Sequence, residues 1–144
     1  MWLRSFINVK KDLEKLVRPK VLEFDEPAFA LGNEQRLSGE RSDSAGFKFL
    51  TLKVYGPHNI NTFKGCVVTF NDKSSQLELR SDSKEIKTYY SHSLELGITE
   101  FELFLDEEIL AFLRRSIESI SIQFGKNRLF FEVIDPDKFS LMLK

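Results

Sequence analysis

The sequence predicts a single α+β domain built mainly from antiparallel β-sheet, as a meander, a sandwich or a partial barrel. From residue 47 onward, short segments alternate apolar and polar side chains with the period of a β-strand, and turn-forming residues separate them. Residues 1–19 instead repeat apolar side chains at helical spacing. The 144 residues suit one compact domain. We expect about six to eight strands, packed by two helices; a pleckstrin-like or lipocalin-like barrel is compatible with this pattern.

The N-terminal segment, residues 1–19, is predicted to form an amphipathic helix that ends at Pro19, because proline cannot continue a helix. The first 20 residues carry six basic and two acidic side chains, which gives a net charge of +4. Such a helix packs on the sheet, binds a protein partner or a second copy, or lies on an anionic membrane surface. The acids at positions 12 and 14 interrupt its basic face and weaken the membrane interpretation. The candidate partner-binding residues are Trp2, Phe6, Lys10 and Lys11, with the tryptophan as the main anchor.

The next segments complete the first half of the domain. Residues 32–46 are polar and rich in glycine, serine and charge, so they predict a flexible surface loop, and their glycines match no phosphate-binding spacing. Residues 47–55, 65–70 and 76–80 predict strands, the last two joined as a hairpin by the polar residues 71–75. Residues 86–92 then predict the strand that pairs with 76–80.

The clearest pattern lies between residues 99 and 134 and predicts a strand, a helix and a hairpin. Asp106 suits the N-cap of a helix over residues 106–115, and Glu107 and Glu108 suit the positive end of its dipole. The tight turn at residues 125–127 joins the last two strands. Residues 135–143 fit either a helix that starts at Asp135 or a strand.

The residues that could carry chemistry form no recognisable constellation. His58 and His92 have no metal-ligand spacing, so we expect no metal site and no cofactor. Cys66, the only cysteine, is expected to be a buried thiol; as a nucleophile it would need a histidine beside it. A lone cysteine forms no internal disulfide, which, with the absence of a secretory signal and of a membrane-spanning segment, favours a cytoplasmic protein.

Nucleic-acid binding is not favoured, because the net charge is −1 and Tyr89 and Tyr90 would point to opposite faces of one strand. The 14 phenylalanines indicate either a core of large rings or an apolar pocket. We therefore expect a non-catalytic binding or regulatory module that uses the N-terminal helix. The alternatives are a carrier of a small apolar ligand in a Phe-lined cavity, and an enzyme of unrecognised type that uses Cys66 or a histidine. The layout resembles that of many small α+β bacterial proteins, a resemblance that implies no site residues.

Overall fold

The structure, a computed structural model, describes residues 28–143. The predicted N-terminal helix over residues 1–19 lies outside the described residues, as do the candidate partner-binding residues Trp2, Phe6, Lys10 and Lys11. Within residues 28–143, neither helix has the length and apolar character that crossing a membrane requires.

The described chain forms a ten-stranded antiparallel sheet, bent into a half-barrel, with two short helices. The predicted antiparallel, sheet-rich fold is therefore confirmed, although the sequence undercounts the strands. The strands are β1 (Ala30–Gly32), β2 (Gln35–Ser44), β3 (Phe47–Gly56), β4 (Asn61–Thr62), β5 (Val67–Asn71), β6 (Gln76–Arg80), β7 (Ile86–Ser91), β8 (Leu96–Leu105), β9 (Ser119–Phe124) and β10 (Asn127–Val133). Their order across the sheet is β4-β7-β8-β3-β2-β1-β10-β9-β5-β6.

One face of the sheet, which we call the inner face, carries the hydrophobic core. The long central strands β3 and β8 set its register, with Leu50 opposite Leu103 and Leu52 opposite Phe101. All four side chains are buried in one cluster that also includes residues from β5, β9 and β10. Burial on one face with exposed charges on the other is what the period-two pattern predicts for such strands.

Residues 32–46, predicted as a flexible loop, instead form the end of β1, a tight turn and strand β2. Strand β2 pairs with β3 from Arg36 opposite Tyr55 to Ser44 opposite Phe47. The loop prediction is wrong because the strand has a polar sequence: its place is fixed by the apolar partner strand β3 and not by its own hydrophobic pattern. The chain reverses at Ala45 and Gly46, whose φ angles of 51° and 83° form the turn into β3.

Both predicted helix starts are confirmed. Helix α1 (Glu107–Leu113) begins after Asp106, whose Oδ1 accepts a hydrogen bond of 2.8 Å from the N–H of Ile109. It is shorter than the predicted range of 106–115. Residues 135–143 adopt the helical alternative, because helix α2 (Pro136–Met142) begins after Asp135, which caps the N–H of Lys138 at 3.1 Å.

The pairing of β6 with β7, expected from their order along the chain, is wrong. Strand β7 pairs instead with β8 and with the short strand β4. Between β6 and β7 the chain crosses from one part of the sheet to the other, since Asp82 N–H donates to the carbonyl of Glu102 and Gly65 N–H to that of Lys84. Strand β6 is consequently the last strand at its end of the sheet.

Candidate functional site

An open groove lies where the three-residue strand β1 ends beside the seven-residue strand β10. Strand β1 pairs only with Val133 and Glu132 of β10, so the remainder of β10, toward Asn127, continues past it. The groove has a volume of about 720 Å³. Its walls are the β1–β2 turn, the segment that follows β3, and β10 with the residue after it. We call it the β10 groove.

The side chain of Gln35, the first residue of β2, forms one end of the β10 groove. Its Nε2 donates to the carbonyl oxygen of Phe130 at 3.1 Å, in the position that a neighbouring strand would otherwise occupy. Its Oε1 lies 2.5 Å from Nε2 of His58. Because an amide oxygen only accepts hydrogen bonds, Nε2 of His58 carries the hydrogen. The buried amide thus ties β2, β10 and the segment after β3 together.

Gly32 permits this arrangement because it has no side chain. A Cβ atom at Gly32 would collide with the carbonyl oxygen of Phe130 and would lie 2.6 Å from Nε2 of Gln35. Any larger residue would therefore displace the hydrogen bond that joins these two residues.

His58 is a neutral hydrogen-bond donor in this site. Partial burial lowers its pKa below the usual 6.5, and the charge of Glu34 opposes that effect only in part. Its partner Gln35 neither takes up nor releases a proton, so the pair lacks the acid–base function of a catalytic dyad. The contact therefore positions the groove wall.

Apolar side chains on a polar background line the rest of the β10 groove. Phe130 and Ile134 are each 53% exposed, and Leu31 is half-buried. Arg128, Glu132 and Glu34 surround them, so the two acids outnumber the one base. An apolar centre with a charged rim of both signs is typical of surfaces that bind protein segments.

The other candidate residues of the sequence are placed as structural groups. Cys66 is buried, which raises the pKa of its thiol to about 12, and its backbone N–H donates to Oγ of Ser81 at 3.0 Å. The thiol is therefore protonated at neutral pH, whereas a nucleophilic cysteine needs the thiolate. The ring of His92 meets that of Tyr90 edge-on at 5.1 Å.

The acids at the start of helix α1 also have structural roles. Asp106 is the cap, and Oε1 of Glu107 lies 3.0 Å from Nζ of Lys48, an ion pair that lowers the pKa of Glu107. In the part of the chain that the structure describes, no three or more His, Cys, Asp or Glu side chains lie together as a metal would require.

Reasoning from the sequence missed the β10 groove. Gln35 was assigned to a flexible loop, and Arg128 and Phe130 were read only as the outer positions of a strand. The signal that could have found it is the short turn at Asn33 and Glu34, which makes a hairpin of β1 and β2 and ends β1 early. Comparisons with protein-family models, curated proteins and solved structures found no match, so the function is argued from this chain alone.

Proposed function

We propose that the protein is a non-catalytic binding module that holds an extended segment of a protein partner in the β10 groove. The observation that carries this proposal is that strand β10 continues past the end of β1 with Phe130 exposed beside it. An extended segment would continue the line of β1 and pair with the free side of β10, which is a common mode of peptide recognition.

The backbone of β10 supports this mode of binding. In antiparallel pairs, alternate residues direct their N–H and C=O groups to opposite neighbours. The carbonyl of Phe130 faces the groove, since Gln35 binds it there. By the same alternation, the backbone groups of Arg128 point to the groove side, away from β9, where a peptide backbone would meet them.

The side chains of the groove define the chemistry of the partner segment. Phe130, Ile134 and Leu31 offer apolar contacts, so the segment should carry at least one large apolar side chain. Arg128 would meet an acceptor on that segment, and Glu132 a donor. The slight excess of acid disfavours a nucleic-acid phosphate backbone, which requires clustered basic side chains.

Two further observations favour a binding module over a carrier or an enzyme. The rings of Phe29, Phe70 and Phe139 contact one another within the core, where a carrier would need space for its ligand. Cys66 has a raised pKa and His58 is bound to an amide, so neither has the environment of a catalytic nucleophile or base. A role for Trp2, Phe6, Lys10 and Lys11 in partner binding stays a prediction, as does a cytoplasmic location.

The test is selection of a phage-displayed random peptide library on the immobilised protein. The eluted phage are then tested for binding to a double variant, Phe130→Ala with Ile134→Ala. We expect enriched peptides that share a large apolar residue and lose at least about tenfold in affinity for the variant, because two exposed anchors are removed. Enriched peptides that bind the variant as well as the wild type would refute the groove as the site.

A matched control distinguishes the groove from general surface hydrophobicity. Phe63 and Leu141 are 69% and 64% exposed and line no part of the β10 groove. The double variant Phe63→Ala with Leu141→Ala removes a similar exposed apolar area and should leave peptide binding unchanged. Equal losses in both double variants would indicate nonspecific binding and contradict the proposal.

A further inference from the structure

Strand β6 (Gln76–Arg80) has one paired and one exposed edge. It pairs with β5 along its whole length and stands last in the sheet. Leu77 and Leu79 are half-buried against the core, while Gln76, Glu78 and Arg80 are exposed on the outer face. An edge of this kind presents backbone donors and acceptors to a further strand.

The hydrogen bonds of the β5–β6 hairpin show which backbone groups face outward. The N–H of Ser81 donates to the carbonyl of Cys66 at 3.0 Å, so Ser81 directs its backbone toward the β5 side. Alternation along an antiparallel strand then directs Leu79 and Leu77 to the same side. The backbone groups of Glu78 and Arg80 point away from β5, into the open edge.

A second copy of this strand matches that edge in one register. If two β6 strands run antiparallel about a two-fold axis at Leu79, Glu78 of each copy lies opposite Arg80 of the other. Both residues lie on the outer face, so each acid meets a base across the new interface. The outward backbone groups of the same two residues form the hydrogen-bonded pairs, and the two Leu79 side chains meet at the centre.

Neighbouring registers lack this complementarity. An axis at Glu78 would place two glutamates opposite each other, and an axis at Arg80 would place two arginines opposite each other, both of which destabilise a strand pair. An axis at Leu77 would leave both charges opposite uncharged serine or glutamine side chains. Only the register at Leu79 pairs the charges and aligns the free backbone groups.

We propose that the protein self-associates through β6, in an antiparallel pair of strands centred on Leu79, which joins two half-barrels into one continuous sheet. The partner is a second copy of this chain. The proposal is independent of the β10 groove, which lies beside other strands. Because a five-residue strand buries a small area, the dimer is weak and its population depends on protein concentration.

Sedimentation equilibrium of four forms tests the proposal, from about 10 µM to about 1 mM. The forms are the wild type, Glu78→Arg, Arg80→Glu and the double variant with both substitutions. We expect the wild type to dimerise, each single reversal to weaken the dimer at least about tenfold through like charges, and the double reversal to restore it. Glu95→Arg, an exposed change of the same charge in the β7–β8 turn, should leave the dimer unchanged.

Amide hydrogen exchange supplies an independent measurement within the same protein. The amides of Glu78 and Arg80 should become more protected as the wild-type concentration rises, while those of Leu77 and Leu79, already bonded to β5, should change little. A wild type that stays monomeric at about 1 mM would overturn the proposal. A dimer that tolerates both single reversals, or that the double reversal fails to restore, would also overturn it.

Discussion

His58 and Gln35 form a hydrogen bond of 2.5 Å that joins the segment after β3 to the first residue of β2. The same amide bonds to the carbonyl of Phe130, so one buried side chain links three parts of the chain at the β10 groove. Because the histidine donates while neutral and is partly buried, its protonation state is coupled to folding.

We expect the protein to lose stability on acidification through His58. Its pKa is lower in the folded protein than the 6.5 of an unfolded chain, so below about pH 6.5 the unfolded state binds the proton more readily. The free energy of unfolding is therefore highest above this pH and falls below it. Urea denaturation at about pH 7.5 and about pH 5 should show a smaller difference for His58→Gln than for the wild type. His92→Gln, which leaves His58 in place, should retain the larger difference; equal slopes in all three proteins would contradict the assignment.

Replacement of Gly32 by alanine should destabilise the protein and open the contact behind the groove. The added Cβ atom meets the backbone carbonyl of Phe130, which cannot move as a flexible side chain does. We expect a loss of about 1 to 3 kcal/mol in the free energy of unfolding, measured by urea denaturation. Gly125→Ala is the control for backbone conformation, because Gly125 has φ of 57° but no atom within 4 Å of the added Cβ. A Gly32→Ala variant no less stable than Gly125→Ala would show that the collision is relieved at no cost.

Sequence patterns predicted those parts of the fold that depend on local chemistry. The caps Asp106 and Asp135 act within one helical turn, so their roles can be read from the sequence alone. The apolar alternation in β8 likewise identified its buried face, because Phe101, Leu103 and Leu105 point inward.

The β10 groove was not predictable in this way, because each contact there joins distant parts of the chain. Gln35 and Phe130 are 95 residues apart, and nothing in their local sequence indicates that they meet. Strand β2 was missed for a related reason: its polar residues are held in place by β3 and not by an apolar pattern of their own. The crossing from β6 to β7 was also missed, since sequence order favours pairing of successive strands.

Truncation of Phe139 should be among the most destabilising single changes in the described chain. Its ring lies 4.8 Å from that of Phe29 and 6.1 Å from that of Phe70, measured between centroids, and it holds helix α2 to the sheet. We expect Phe139→Ala to lower the free energy of unfolding by about 3 to 5 kcal/mol, because the cavity among these rings cannot close completely. Leu141→Ala, on the exposed side of the same helix, should change it by less than about 0.5 kcal/mol. Similar losses in the two variants would mean that helix propensity, and not ring packing, holds α2.

Asp72 should stabilise the β5–β6 hairpin down to strongly acidic pH. Its Oδ1 accepts hydrogen bonds from the N–H groups of Ser74 and Ser75 at 2.8 and 2.6 Å, and these bonds lower its pKa to about 2, with a smaller contribution from Arg115. Since the unfolded carboxyl titrates near 3.8, the stabilisation is complete above that pH and is lost as the pH falls toward 2.

Two substitutions at Asp72 and one at Arg115 separate the contributions to this stabilisation. Asp72→Ala removes every acceptor, whereas Asp72→Asn retains a neutral oxygen for the serine amides, so the alanine variant should be the less stable of the two. Arg115→Gln keeps both backbone bonds and removes only the ion pair of 3.4 Å, and it should cost less than either. Urea denaturation should show the gap between wild type and Asp72→Asn closing from about pH 6 to about pH 2.5. If Arg115→Gln lowers stability as much as Asp72→Ala does, the ion pair and not the turn dominates, which would reverse the order of causes given for the lowered pKa.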